Sequence, residues 1–170
     1  SCFGSMNRQH TRADYIELIK NIRNILPDCG ISQDMISGFP SETEEDHQDT
    51  LSLMEYVKYD FGFMFMYSER PGTPAAKKLK DNVPQDVKKR RLQEVVTLQQ
   101  QHSLFRTQQY VGQTVEVLIE KESKKSKKHW SGRNQQNTVV VFPKEDYKVG
   151  DFVNVKIQDC TSATLIGKAV

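Results

Sequence analysis

The chain has 170 residues, 36% of them apolar and 27% charged, with a net charge of +2. That length holds one domain, or one small domain beside part of another. No apolar run approaches the roughly 20 residues that span a bilayer, and Cys2, Cys29 and Cys160 are too few and too far apart for a disulfide framework or a Cys-x-x-Cys metal site.

Residues 11–26 predict a helix. Thr11 is a suitable N-cap, and Tyr15, Leu18, Ile19, Ile22, Ile25 and Leu26 recur at three- and four-residue steps. Pro27 and Gly30 end it. Ile31 to Ser37 predicts a short strand, closed by Gly38-Phe39-Pro40. Ser41-Glu42-Thr43-Glu44 has capping-box spacing before a second helix whose buried stripe is Leu51, Leu53, Met54 and Val57. Phe61 to Tyr67 is a continuous apolar run of strand length, so both of its faces are expected to be buried. Pro71-Gly72-Thr73-Pro74 is turn chemistry. Pro84 suits the first turn of a long helix reaching about Gln109, with Val87, Leu92, Val95, Leu98 and Phe105 on its apolar side.

From Gly112 the period becomes two. Val115, Val117 and Ile119, then Val139 to Phe142, then Val153, Val155 and Ile157, then Leu165-Ile166 give strand signals punctuated by glycine. They suggest a small antiparallel β-barrel of five strands, resembling an oligonucleotide-binding barrel. The charge divides at the same place. Residues 1–110 have a net charge of −1 and residues 111–170 a net charge of +3. Lys121, Lys124, Lys125, Lys127, Lys128 and Arg133 stand against Glu122 alone, which focuses +5 in thirteen residues. Such a field attracts polyanions, although a solvated lysine hairpin reads the same way.

The first 110 residues alternate helix and strand, as in a parallel α/β sheet or barrel. Two or three strands cannot close such a sheet, so this part reads as the C-terminal portion of a larger α/β barrel. Ser1 to Ser5 fit no element. Ligands of parallel sheets bind at the strand ends. Here those ends carry Gly38-Phe39-Pro40-Ser41-Glu42-Thr43 and Ser68-Glu69-Arg70. The first is either an ordinary βα turn or a backbone approach to a ligand. In the second, Arg70 offers a planar cation for a carboxylate or phosphate, and a surface ion pair of Glu69 is the alternative.

Several separated segments together resemble a known family. Asp34 to Asp46 (DMISGFPSETEED), Phe65 to Ala75 (FMYSERPGTPA) and Met6 to Arg12 (MNRQHTR) are similar to radical S-adenosylmethionine methylthiotransferases. Ser123-Lys124-Lys125, Ser131-Gly132-Arg133, Asn137, Val140 to Pro143 and Gly150 to Val153 resemble the TRAM domain that closes those enzymes. The Tyr-Ser-x-Arg-Pro-Gly-Thr run is most similar to the branch that converts N6-isopentenyladenosine beside the tRNA anticodon to its 2-methylthio form. The branch acting on threonylcarbamoyladenosine shares the Arg, and a freestanding RNA-binding module is the further alternative.

The resemblance implies a division into residues 1–110, the end of a radical S-adenosylmethionine barrel, and residues 111–170, a TRAM barrel. It implies S-adenosylmethionine and two 4Fe-4S clusters as the enzyme's cofactors. One cluster, on a Cys-x-x-x-Cys-x-x-Cys motif, donates the electron that makes a 5′-deoxyadenosyl radical. The second delivers sulfur. Neither cysteine trio occurs in these 170 residues, and the four His residues lie apart. The chain is therefore expected to hold no metal and no catalytic residue, and to be inactive alone. Mapped from the family, Ile36, Gly38, Phe39, Glu42, Ser68 and Arg70 would face the cofactor. Lys121, Lys124, Lys125, Lys127, Lys128, Trp130 and Arg133 would meet RNA, with Trp130 stacking on a base. The implied partners are the tRNA anticodon stem–loop and the cluster-binding parts of the same protein, in the cytoplasm and away from membranes. Exposed apolar surface is expected to make the fragment self-associate.

Overall fold

The computed structural model describes residues 11–170. Ser1 to Ser5, Cys2, His10 and most of the Met6–Arg12 motif lie outside the described residues. The chain forms two compact units that meet at Gln99 and Gln100, inside the long helix.

The first unit begins with α1 (Arg12–Ile25), capped by Thr11 and Asp14 in a reciprocal capping box. Then come β1 (Ser32–Ser37), α2 (Glu44–Val57), β2 (Phe61–Met66), the short α3 (Pro74–Lys78) and the start of α4 (Gln85–Gln108). The expected capping box moves by two residues. Ser41 has φ +67° and cannot cap, whereas Thr43 is extended and exchanges bonds with Asp46. Strands β1 and β2 pair in parallel, Met35 beside Met64 and Ile36 beside Phe65. Met35 packs with Ile19, Leu53, Met54, Val57, Tyr59 and Val95 in one core.

Two expectations change here. The two-stranded sheet is covered on one face only: Ile36 of β1 and Phe63 and Phe65 of β2 stay 41–59% exposed. The helices that contribute to this core do so on the Met35 side, and two strands supply nothing for the opposite side. The apolar side expected for α4 holds only in part: Val95 is buried and Leu98 packs against the core. Its buried positions in this unit are Lys88, Arg91, Val95 and Gln99, and Phe105 further along is exposed. The helical spacing is kept, but polar residues fill most of it.

In the second unit β3 (Thr114–Ser123), β4 (Ser126–Arg133), β5 (Val139–Pro143), β6 (Phe152–Cys160) and β7 (Thr164–Ala169) close into a barrel in the order β3-β4-β5-β7-β6. All neighbours are antiparallel except β5 and β7. Val117, Ile119, Val140, Phe142, Val153, Val155, Ile157 and Leu165 alternate inward and fill the interior. The lysine tract is not a loop. Lys121, Lys127 and Lys128 lie on the strands, and only Lys124 and Lys125 form the turn. Among the described residues no helix is long and apolar enough to cross a membrane.

Gly132 lets β3 and β4 approach. A β-carbon there would sit 2.2 Å from the Leu118 carbonyl oxygen and 2.7 Å from Val117 Cγ1. Gly132→Ala is expected to cost about 1–3 kcal/mol through overpacking, read as an earlier urea midpoint for the barrel unit. An unchanged midpoint would show that the strands separate freely at this point.

Candidate functional site

The loop after β1 is built on a buried ion pair. Gly38 turns the chain at φ +78°, a conformation that favours glycine. Its N–H donates to Glu42 Oε1 at 3.1 Å. The same carboxylate oxygen accepts from Arg91 Nη1 at 2.8 Å, and Arg91 also donates to the Glu42 carbonyl at 2.9 Å. Both side chains are about 95% buried. Beside them the aliphatic stem of Lys88 fills the space that a Gly38 side chain would need. The Lys88 ammonium is buried, pairs with Asp81 at 2.6 Å and lies over the Tyr67 ring. Phe39 meets Tyr67 edge-on at 5.4 Å, joining the ends of the two strands. The Tyr67 N–H continues the ladder to the Ser37 carbonyl, and burial pushes its phenol pKa up.

The six positions mapped from the family thus fall into two groups. Gly38, Phe39 and Glu42 are engaged inside the protein. Ile36, Ser68 and Arg70 are exposed at the C-terminal ends of β1 and β2. Neither Glu69 nor Arg70 forms an ion pair among the described residues, so the surface-pair alternative for Glu69 has no support. The sequence reading missed Lys88 and Arg91, because buried cations look like surface charges on a polar helix. Their spacing of three residues, four before Val95, was the available signal.

A second network ties α2 to α4. His47 is 1% exposed and meets Glu94 at 2.6 Å. Arg90 bridges Glu94 at 2.8 Å and Glu44 at 2.6 Å. The bond from Arg90 holds the Glu44 carboxyl down to about 2. His47 first, and Arg90 second, lower that of Glu94.

On the barrel, Lys121, Lys124, Lys125, Lys127 and Lys128 are exposed and form no ion pair among the described residues. Arg133 donates to the Asn137 carbonyl at 3.0 Å and lies 3.6 Å from Glu120. Trp130 does not stand free to stack. Its Nε1 donates to the Tyr147 carbonyl at 3.2 Å, and its ring packs on the barrel core and carries Lys144 Nζ 4.4 Å from its centre. Lys144 is held there by Glu122 at 2.5 Å. Next to this hairpin a groove of about 480 Å³ runs over the outer barrel face, floored by Val139, Val141 and Ile166. The sequence hinted at it: three consecutive valines at 139–141 place two of them on the face that water should own.

Among the described residues no three His, Cys, Asp or Glu side chains gather to hold a metal ion. Cys29 and Cys160 are free and partly buried.

These features belong to an α/β piece followed by a small closed β-barrel, and residues 108–170 match the family model of the TRAM domain. Over 165 residues, 97% of its length, the chain is 70% identical to the tRNA-2-methylthio-N(6)-dimethylallyladenosine synthase of Christiangramia forsetii and 66% identical to that of Flavobacterium johnsoniae. It is 53% identical to the protein of the same name from Bacteroides thetaiotaomicron. The chain spans about a third of the length of these curated relatives. Over nearly its whole length it is a homologue of part of these synthases, as its motifs indicated.

Carboxylates whose folded pKa is lowered contribute stability above their unfolded value and lose it as pH falls toward the folded one. For Glu44 that window runs from 4.5 down to about 2. The melting temperature of the chain is expected to drop steadily across this window, and to drop less in Glu44→Gln. An identical acid profile in the variant would mean that the Arg90 pair contributes nothing in solution.

Proposed function

We propose that this chain is the rear cofactor wall and the RNA-holding domain of a radical S-adenosylmethionine enzyme that methylthiolates N6-isopentenyladenosine beside the tRNA anticodon. The observation that carries it is 65–70% identity to synthases of that name over 97% of the chain. The bare sheet face supports the barrel part. Ile36, Phe63 and Phe65 are the apolar interior that further parallel strands would cover, and those strands would come with the cluster-binding part of the same protein.

The exposed strand ends fit an adenosyl cofactor. Ile36 offers an apolar surface to a purine, and Arg70 a fixed cation to a carboxylate or to tRNA phosphate. When bound, S-adenosylmethionine supplies a 5′-deoxyadenosyl radical after reduction by a 4Fe-4S cluster. The chain's own residues provide placement. Arg91 and Glu42 fix the Gly38 turn, Lys88 and Tyr67 fix the end of β2, and together they set where Ile36, Ser68 and Arg70 stand. Self-association through the bare face is what the isolated chain would do in place of barrel closure.

The barrel holds tRNA by charge. Phosphate contacts from the hairpin lysines position the RNA without reading its sequence. With four such contacts, log K for tRNA is expected to fall with log salt at a slope of about −3 to −4. Salt-independent binding would remove the lysines from the interface. In the full-length protein, Arg70→Ala is expected to lower methylthiolation at least about tenfold, measured by mass spectrometry of tRNA nucleosides. Unchanged turnover and unchanged tRNA affinity together would make Arg70 a surface residue without a role.

A further inference from the structure

We propose that the groove on the outer barrel face receives one unpaired nucleotide of an RNA loop, with its base on the Val139, Val141 and Ile166 floor and its flanking phosphates on the lysine rim. This rests on the reading that the barrel holds RNA, and it adds where, and in what form, the RNA is held.

The floor is set by strand alternation. Val140, Phe142 and Leu165 point inward, so Val139, Val141 and Ile166 point outward. Register places Val141 between Ser131 and Ile166, and Val139 between Arg133 and Thr164. The small Ser131 and Thr164 beside these positions leave room for the groove. Ile166 remains 40% exposed. Val139 and Val141 are half-buried, and the barrel interior gains nothing from these three branched apolar side chains standing side by side on its outer face.

The rim has the opposite character. Lys121, Lys124 and Lys125 line one side and Arg133 belongs to the lining as well, with Glu120 close to the Arg133 guanidinium. His129 Nδ1 is bonded to Ser126 Oγ at 2.8 Å, which leaves Nε2 for a base edge or a ribose hydroxyl. Phosphates alone need no apolar floor. A duplex shows a protein its backbone and keeps its base faces stacked, whereas loop nucleotides can be turned out onto a surface. A volume of about 480 Å³ suits one base and its sugar. The cationic rim disfavours a second copy of this chain as occupant, because the two rims would repel.

The test uses the whole 170-residue chain, a stem–loop RNA with a 2-aminopurine in its loop, and a blunt duplex of the same stem. Val141→Ser with Ile166→Ser removes the apolar floor without changing charge. The double variant is expected to bind the stem–loop about fivefold or more weakly, to bind the duplex as before, and to abolish the 2-aminopurine fluorescence change seen with the parent. Both positions are on the barrel exterior, and an unchanged melt checks folding. The single variant Ile166→Ser, with an intermediate loss, guards against a misfolded double. Equal loss for loop and duplex, or no loss at all, would overturn the proposal while leaving RNA binding intact. A change in sedimentation instead of RNA affinity would assign the groove to protein contacts and also overturn it. A parent chain that binds neither RNA would remove the underlying reading as well.

Discussion

The ion pair between Arg91 and Glu42 governs the first unit. A carboxylate and a guanidinium this deeply buried carry a large desolvation cost, repaid only when every remaining donor and acceptor is matched. Here Glu42 Oε1 accepts from the Gly38 N–H and from Arg91 Nη1, the same nitrogen donates to the Glu42 carbonyl, and the other guanidinium nitrogens face Glu44. Removing either partner would leave a buried charge alone, typically a loss of about 3–5 kcal/mol. The pair therefore stabilises little in itself but permits one geometry. It fixes the turn after β1 relative to α4, and Lys88 does the same for the end of β2. The exposed residues at those ends inherit their positions from two cations that never reach the opening.

This arrangement separates holding from presenting. Gly38, Phe39 and Glu42 keep the scaffold in place, and Ile36, Ser68 and Arg70 face outward. The barrel uses the same division. Trp130, pinned by Tyr147 and Lys144, braces the root of the hairpin, while the lysines beyond it carry the charge. In both units the most conspicuous residue of the motif is engaged inside the protein, and its plainer neighbours are exposed.

Much of this was legible in the sequence. The two β periods, the helix stripe of α2, the charge focus and the strand-end motifs follow from local rules, whereas Leu18, Ile25 and Leu26 of the stripe read over residues 11–26 stand exposed. Three features did not. The cap moved from Ser41 to Thr43 because the chain had to pass through a left-handed residue before it could enter the helix. Phe63 and Phe65 were read as buried because an apolar run reports hydrophobicity and not the number of sheet neighbours available to cover it. Lys88 and Arg91 were hard to read because burial of a cation depends on its partners, and these lie on other segments: Glu42 is 49 residues from Arg91, and Asp81 precedes the helix that carries Lys88. The lysine tract misled for a simpler reason. Exposed strands of a hairpin tolerate the same residues as a loop, and β4 has no apolar alternation before Trp130.

The order of strands in the barrel has a consequence for how it is made. The strand β7 lies between β5 and β6, joined to one in parallel and to the other antiparallel. Without residues 164–169, β5 and β6 would each present a row of unpaired backbone groups around an open apolar interior. A barrel without β7 is thus an unclosed sheet with two adhesive edges. A chain truncated before Thr164 would be prone to pair with its own kind. Charged residues on the outer face of β6, Lys156 and Asp159 among them, stand where they discourage that pairing.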